Sequence, residues 1–499
     1  MKKLLSVLVI LGVFAWMGQA LAAGSVVSRA YLPLVMRNGP PPTPSPTPSP
    51  PTPTPIPQGS GLLRRVNAPH FPGSTIPFEQ TAIFWFGSLS PTSNYVDVRA
   101  AYSDQDFYLY VAIFDRRLWY DDTPPVADLT TWDAITLYLD LDGNTGNALD
   151  AHSYRITAGL ADPNLPRGNY ERTSQGAGGT WGDTPLTGLI THPGWRGQHL
   201  NDNTDDRGWA MTFRIPYTAL GLSGPPLEGT TWGLGLVVHD RDDSGGTAIP
   251  NQTWPQTLNP SRPKTWGQFH FGLYTYTPPQ NAPVGSVKIR EEPGNGIIVP
   301  DAAMGSTTGG PLCSGDPNYI WNTWPNRNFG SEHQFNIQNQ SNIDDWPCFA
   351  KYYVTFPLDR VPQGKVILSA TLTLYQWSNN GPPDLAPDSY IHVLTVPEAW
   401  NESSITWNNA PWPGENIAQI WVPVVNCKDS NGNMQWPCFP RTWDVTGAAA
   451  QAYAAGQPLR LALYASDSGM HSGKLFTTSE TGDWNVAGRP ALDIVWGNP

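Results

Sequence analysis

The chain reads as all-β: two β-sandwich, jelly-roll-like domains joined by a short proline-flanked hinge, preceded by a signal peptide and a Pro/Thr/Ser-rich linker. Three observations lead there. Apolar residues alternate with period two over many short runs, 107–114 and 134–141 among them. The 499 residues include 52 prolines and 48 glycines, so turn formers recur between those runs where a helical protein would carry helix formers. Proline clusters at 40–57 and at 278–283 divide the chain into a tail and two stretches, 61–278 and 284–499, each long enough to bury a core.

Charge narrows the partners. Only 14% of residues are charged and the net charge is −12, which argues against nucleic-acid or anionic-membrane binding, both of which need basic patches. A neutral polysaccharide or a bound cation fits better. Residues 1–22 carry an export signal: Lys2 and Lys3, an apolar run from Leu4 to Trp16, and the small-x-small site Ala20-Leu21-Ala22. That run is too short for a membrane span. The segment 29–38, RAYLPLVMRN, is an apolar patch with basic ends, read either as a short strand or as a surface-sorting tag. Proline alternating with Thr and Ser over 40–57 cannot build a core and stays extended as a semi-rigid spacer.

Within the first domain, strands are expected at 95–101, 107–114, 134–141, 153–157, 209–215, 231–239 and 268–274, with a short helix at 216–222. The stretch 130–157 organises the domain. Its strand runs into a loop where Asp140, Asp142, Asn144 and Asp150 sit among Gly143 and Gly146, a donor set suited to calcium, which takes six to eight oxygens. The spacing is not that of an EF-hand, and an Asx-rich turn closing a hairpin is the alternative. HDRDDSGG at 239–246 is a second acidic turn of the same kind. Trp132 precedes the strand, and Trp119 and Tyr120 follow Asp115. The two loops that carry them converge on one sandwich end and offer flat faces for a pyranose ring.

FYLYVAIFD, TTWDAITLYLDLDGN, GWAMTFRIP, TTWGLGLVVHDRDD and TWGQFHFG, in that order, resemble the family 9 carbohydrate-binding modules. The resemblance implies a β-sandwich with structural calcium that binds sugar between two tryptophans. Trp132 falls close to one of these. Pro260 or Ser261 stands where the second indole belongs, and Thr136 replaces a sugar-bonding glutamate, so most of that sugar site is missing. Trp119 or Tyr120 is the expected substitute platform.

The second domain, 284–499, has strands expected at 352–356, 367–375, 389–395, 460–464 and 491–495, with a helical turn within 443–453. NFG at 328–330, KYYVTFPLDRVPQGKVILSATLTLY, AWNESSITWNNAP, TWDVTGAA and GRPALDIVW resemble the DNRLRE-type domain of secreted bacterial proteins, which is related to family 96 carbohydrate-binding modules. The hexapeptide itself is absent. Trp400, Glu402, Thr406, Trp407 and Asn408 are read as a lock for a long loop: the tryptophans fill space, and Glu and Asn satisfy backbone groups. Cys313, Cys348, Cys427 and Cys438 imply disulfides in an exported chain, with three connectivities open. The Asn431-Gly432 turn favours Cys427–Cys438, which leaves Cys313–Cys348. No C-x-x-C pair points to zinc.

No H-E-x-x-H, G-x-S-x-G or phosphate loop occurs, so no enzyme is expected. The expected function is that of a secreted or cell-surface monomer, non-catalytic, binding polysaccharide or cell-wall glycan through aromatic side chains. The alternative is a structural or adhesive surface protein whose sandwiches have lost the sugar site.

Overall fold

The computed structural model describes residues 62–143, 146–245, 249–305, 317–339 and 348–499. The signal peptide, the 29–38 motif, the proline-rich linker, Asn144 and Cys313 lie outside them. Among the described residues, four sheets account for nearly all the regular structure. The first half has an eight-stranded sheet running Arg65–Ala68, Gly267–Phe271, Thr231–Asp240, Ala134–Asp140, Ser153–Gly159, Glu171–Ala177 and Thr180–Asp183, with Ile249–Trp254 beside Thr231–Asp240. Its second sheet has six strands, in the order Ile190–Arg196, Gly208–Pro216, Asp106–Phe114, Ser93–Ser103 and His70–Phe71, with Ala82–Ser90 on Ser93–Ser103. The second half has a six-stranded sheet centred on Val366–Asn379 and Ala491–Gly497. Its five-stranded sheet runs Asp301–Gly305, Ala350–Phe356, Leu459–Ala465, Ser389–Thr395 and Asn416–Val422. Pairing is antiparallel except at Arg65–Ala68 and His70–Phe71. This is the architecture of β-sandwiches, and each half encloses its own core. The two short helical stretches expected from sequence are present as a 3-10 turn at Tyr217–Leu220 and an α-helix at Thr446–Ala454.

The six-stranded sheet of the first half and the five-stranded sheet of the second are covered on both faces. Successive side chains on a strand point to opposite faces. In Ser93–Ser103, Val96, Val98 and Ala100 enter the first core, while Tyr95 faces the second half. In Ala350–Phe356, Tyr352, Val354 and Phe356 enter the second core, and Tyr353 faces the first half. The faces meet in a shared apolar layer that holds Ile83, Trp85, Leu89, Tyr95 and Phe114 from one half. Phe349, Tyr353, Trp407 and Tyr464 are among its members from the other. Trp85 meets Tyr464 edge-on at 5.4 Å, Tyr95 meets Trp407 at 4.8 Å, and Phe114 meets Phe349 at 4.5 Å. The short proline-flanked hinge expected at 278–283 therefore joins two halves that are packed on one another. Both facing surfaces are apolar, and water is excluded from them.

Polar groups fix the register of that layer. Asn67 and Asn416 exchange side chain for backbone: the Asn67 amide N–H donates to Asn416 Oδ1 at 2.7 Å, and Asn416 Nδ2 donates to the Asn67 carbonyl at 2.9 Å. Asn408 treats Leu89 the same way, accepting from its N–H at 2.7 Å and donating to its carbonyl at 2.9 Å. Arg64 pairs with Glu398. At the centre Lys351, 2% exposed, places Nζ 3.7 Å from the Trp407 ring centroid and 4.3 Å from those of Trp85 and Tyr95, with Tyr464 at 5.0 Å. Asp97, also buried, accepts from the hydroxyls of Tyr95 at 2.6 Å and Tyr464 at 3.1 Å. Burial pushes the Lys351 ammonium well below the usual lysine range, and the Asp97 charge opposes that shift.

Desolvated cation–π contacts are worth about 2 kcal/mol, and Lys351 makes contacts of this kind with rings from both halves. Lys351→Met should therefore lower the free energy of unfolding by about 2 kcal/mol or more in urea titrations. A loss under about 1 kcal/mol would show that the ring cluster does not depend on the lysine.

Candidate functional site

Three aspartates close one end of the first sandwich. Asp115 follows the strand Asp106–Phe114 of the six-stranded sheet, Asp133 precedes Ala134–Asp140 of the eight-stranded sheet, and Asp240 ends Thr231–Asp240 beside it. One carboxylate oxygen from each lies within 4.8 Å of the others, and the three residues are 0%, 0% and 7% exposed. Asp133 is fully engaged, accepting from the Trp119 N–H at 2.7 Å and the Arg241 N–H at 2.9 Å. Asp115 accepts from the Arg117 N–H at 3.0 Å through Oδ1, while Asp115 Oδ2 and Asp240 Oδ1 are buried with no donor. Among the described residues no ion pair reaches any of the three. Burial first, then the neighbouring Asp240 and Asp133, push Asp115 well above the carboxylate range. Burial and Asp240 do the same to Asp133, and burial with Asp242 raises Asp240 to about 8. Two orphaned carboxylate oxygens facing a third carboxylate match a hard cation such as calcium.

The acidic loop singled out from sequence is arranged differently. Asp140 is buried, and its oxygens accept from the Asp142 N–H at 3.2 Å and the Ser153 hydroxyl at 3.3 Å. Burial and Asp142 raise it to about 7. Asp142 and Asp150 gather at the surface with His152, where the Asp150 side chain is 48% exposed and accepts from the His152 N–H at 2.8 Å. The structure thus brings Asp142 and Asp150 together without Asp140 in that group, and none of the loop's described carboxylates is left orphaned and buried. The sequence reading missed Asp115, Asp133 and Asp240 as a set. Their signal was positional: each borders a strand motif, Asp115 after FYLYVAIF, Asp133 before AITLYLD and Asp240 closing LGLVVHD.

The loops carrying Trp119, Tyr120 and Trp132 do converge, since Trp119 and Asp133 are bonded through both backbone and side chain. Their rings turn inward. Trp119 is 8% exposed, Tyr120 packs edge-on to Tyr170 at 6.0 Å, and the Arg241 guanidinium lies 4.7 Å over the Trp132 ring. Thr136 is buried and bonded to Thr157 at 3.0 Å and to His239 at 2.9 Å, which fills the central-strand position with a closed network.

Exposed aromatics gather in the second half. Cys427–Cys438 is a disulfide; Cys348 is not a free thiol, and the pairing with Cys313 expected from sequence lies outside the described residues. The disulfide closes a loop folded over Asp429, which accepts from the N–H groups of Asn431 at 2.8 Å and Asn433 at 2.9 Å, with Gly432 at φ +84° making the turn. Trp436 leaves this loop 38% exposed. It lies 6.0 Å from Trp377 and meets Trp484, 67% exposed, edge-on at 5.1 Å. Phe439, 47% exposed, stands on the adjoining strand. Beside Trp484, the Asp483 side chain is 95% exposed and paired with Arg489 at 3.0 Å.

Residues 314–487 match carbohydrate-binding module family 96. Trp377, Trp436, Phe439 and Trp484 all fall inside the family 96 match, as does the 399–411 loop that sequence reading assigned to locking. No curated protein sequence matches the chain. Solved structures similar to part of it include a family 9 carbohydrate-binding module from Caldicellulosiruptor kristjanssonii in complex with cellotriose, at 13% identity and TM-score 0.31, covering 44% of this chain and 100% of that one. A complex of such a module from the same organism with glucose is at 14% and 0.30, covering 43% and 100%. A putative carbohydrate-binding protein from Bacteroides uniformis is at 12% and 0.31, covering 42% and 99%. Likeness at these scores decides neither ligand nor site.

Proposed function

We propose that this is a secreted, non-catalytic carbohydrate-binding protein that holds polysaccharide against the tryptophan face of its second half. One observation carries the reading: Trp436 and Trp484, in contact and 38% and 67% exposed, lie inside the segment that matches family 96. Single exposed apolar residues are ordinary, but two touching exposed tryptophans, one of them in a disulfide-closed loop, are not. Indole faces suit the C–H faces of pyranose rings, and an exposed carboxylate such as Asp483 accepts from sugar hydroxyls and sets orientation. The first half serves as a rigid base. Arg241 over Trp132 and the closed Thr136 network favour a structural role for it.

Calcium belongs to this reading as a brace. Asp115, Asp133 and Asp240 would hold it, and it would neutralise three carboxylates at the end of the sandwich where the two sheets meet. Added calcium at about a hundredfold its dissociation constant should stabilise the chain by about 2.7 kcal/mol. Differential scanning of parent and Asp240→Asn, each with calcium and with chelator, checks this. An undiminished calcium response in the variant would assign that response elsewhere.

The binding face is tested by affinity electrophoresis in a panel of soluble polysaccharides. Trp436→Ala and Trp484→Ala should each weaken retention by about tenfold, equivalent to about 1.4 kcal/mol. Trp484→Ala should leave stability within about 0.5 kcal/mol of the parent. Retention unchanged in both variants would end this assignment.

A further inference from the structure

A second carboxylate cluster lies in the other half. Asp301 opens the strand Asp301–Gly305, Glu402 sits in the 399–411 loop, and Glu480 follows the strand Lys474–Thr477. One oxygen from each lies within 4.8 Å of the others. That span is about twice the calcium–oxygen distance of roughly 2.4 Å, so three such oxygens can share one ion.

Asp301 supplies the independent sign of a ligand. It is 0% exposed, and its Oδ2 is fully used, accepting from the Tyr352 hydroxyl at 2.6 Å and the Ser479 N–H at 2.7 Å. Its Oδ1 is buried and has no donor. Leaving a carboxylate oxygen dry and unpaired is costly, and among the described residues no lysine or arginine forms an ion pair with Asp301, Glu402 or Glu480.

The cluster is also held in place. Glu402 Oε1 accepts from the Asp301 N–H at 2.7 Å, which fixes one carboxylate beside the next. Asn328 Nδ2 donates to the carbonyls of Glu402 and Ile405, both at 2.7 Å. A Cβ on Gly330 would come 2.3 Å from the Glu402 carbonyl oxygen, so only glycine lets the 328–330 segment lie against this loop. Both Glu480 oxygens lie near the Ser479 hydroxyl, at 3.1 and 3.2 Å. Three distant chain segments thus deliver carboxylates to one point through backbone that is itself bonded.

We infer that Asp301, Glu402 and Glu480 form a second site for a hard divalent cation, calcium by ligand class, which ties the 399–411 loop and the turn at Glu480 to the strand Asp301–Gly305. The turn at Glu480 leads directly into Asp483–Gly488, the segment that carries Trp484.

The test counts metal. The full chain, and its Glu480→Gln and Asp240→Asn variants, are stripped with chelator, equilibrated with calcium and assayed for bound calcium per chain. Glu480→Gln should hold one ion fewer than the parent, whatever Asp240→Asn does at the other centre. Equal counts in the parent and Glu480→Gln would overturn the site and leave Asp301 and Glu480 as a pair sharing a proton. Should Glu480→Gln not fold, crystals of the parent grown with calcium decide. An anomalous peak between the three carboxylates supports the site, and a map without one rejects it.

Discussion

A lysine enclosed by four aromatic rings sets the terms for the whole fold. Lys351 can sit at the centre of the shared layer only because Trp85 and Tyr95 from one half and Trp407 and Tyr464 from the other supply π faces, with Asp97 close by. Remove either half and the opposite aromatics face water; without the first, Lys351 loses two of its rings and the field of the Asp97 charge. The proline segment at 278–283 therefore connects two sandwiches without separating them. Hydrophobic contact drives their union, and the Asn67–Asn416 and Asn408–Leu89 exchanges allow one register only. This rigidity bears on function, because a platform on the second half is presented by a body built from both.

The acidic centres follow a common logic. Each gathers carboxylates from separate segments, buries at least one of them fully, and leaves an oxygen with no donor. Protein groups alone satisfy the first half's centre poorly, since its nearest N–H donors serve Asp133 and one oxygen of Asp115. Both centres join separate elements: sheet to sheet in the first half, loop to strand in the second.

Much of this was legible in the sequence, for identifiable reasons. Strands with one wetter face announced themselves by alternation, as did Gly267–Phe271. Ala82–Ser90 did not, because AIFWFGSLS is apolar on both faces: Phe84 and Phe86 enter the first core, while Ile83, Trp85 and Leu89 enter the shared layer. A near-continuous apolar run was the trace of the interface, and period-two reading passes over such runs. The 399–411 loop was read correctly as a lock, with tryptophan filling space and Asn408 satisfying backbone. Its target, Leu89 in the other half, depends on tertiary placement that local pattern does not encode. The acidic loop at 140–150 attracted attention because its carboxylates are close in sequence. Asp115, Asp133 and Asp240 are close only in space. The indoles followed the same rule: Trp132 stood out beside a strand motif, while Trp436 and Trp484 meet only after the disulfide loop folds over the strand that bears Trp377.

The central claim, that the exposed tryptophan face of residues 314–487 is the surface that meets polysaccharide, can be read without altering the protein. Oxidative footprinting of the intact chain, with and without a polysaccharide that retains it, reports the protection of each tryptophan by mass spectrometry. The account predicts protection at Trp436 and Trp484 and an unchanged rate at Trp132. Protection at Trp132 with Trp436 and Trp484 oxidised as before would contradict it.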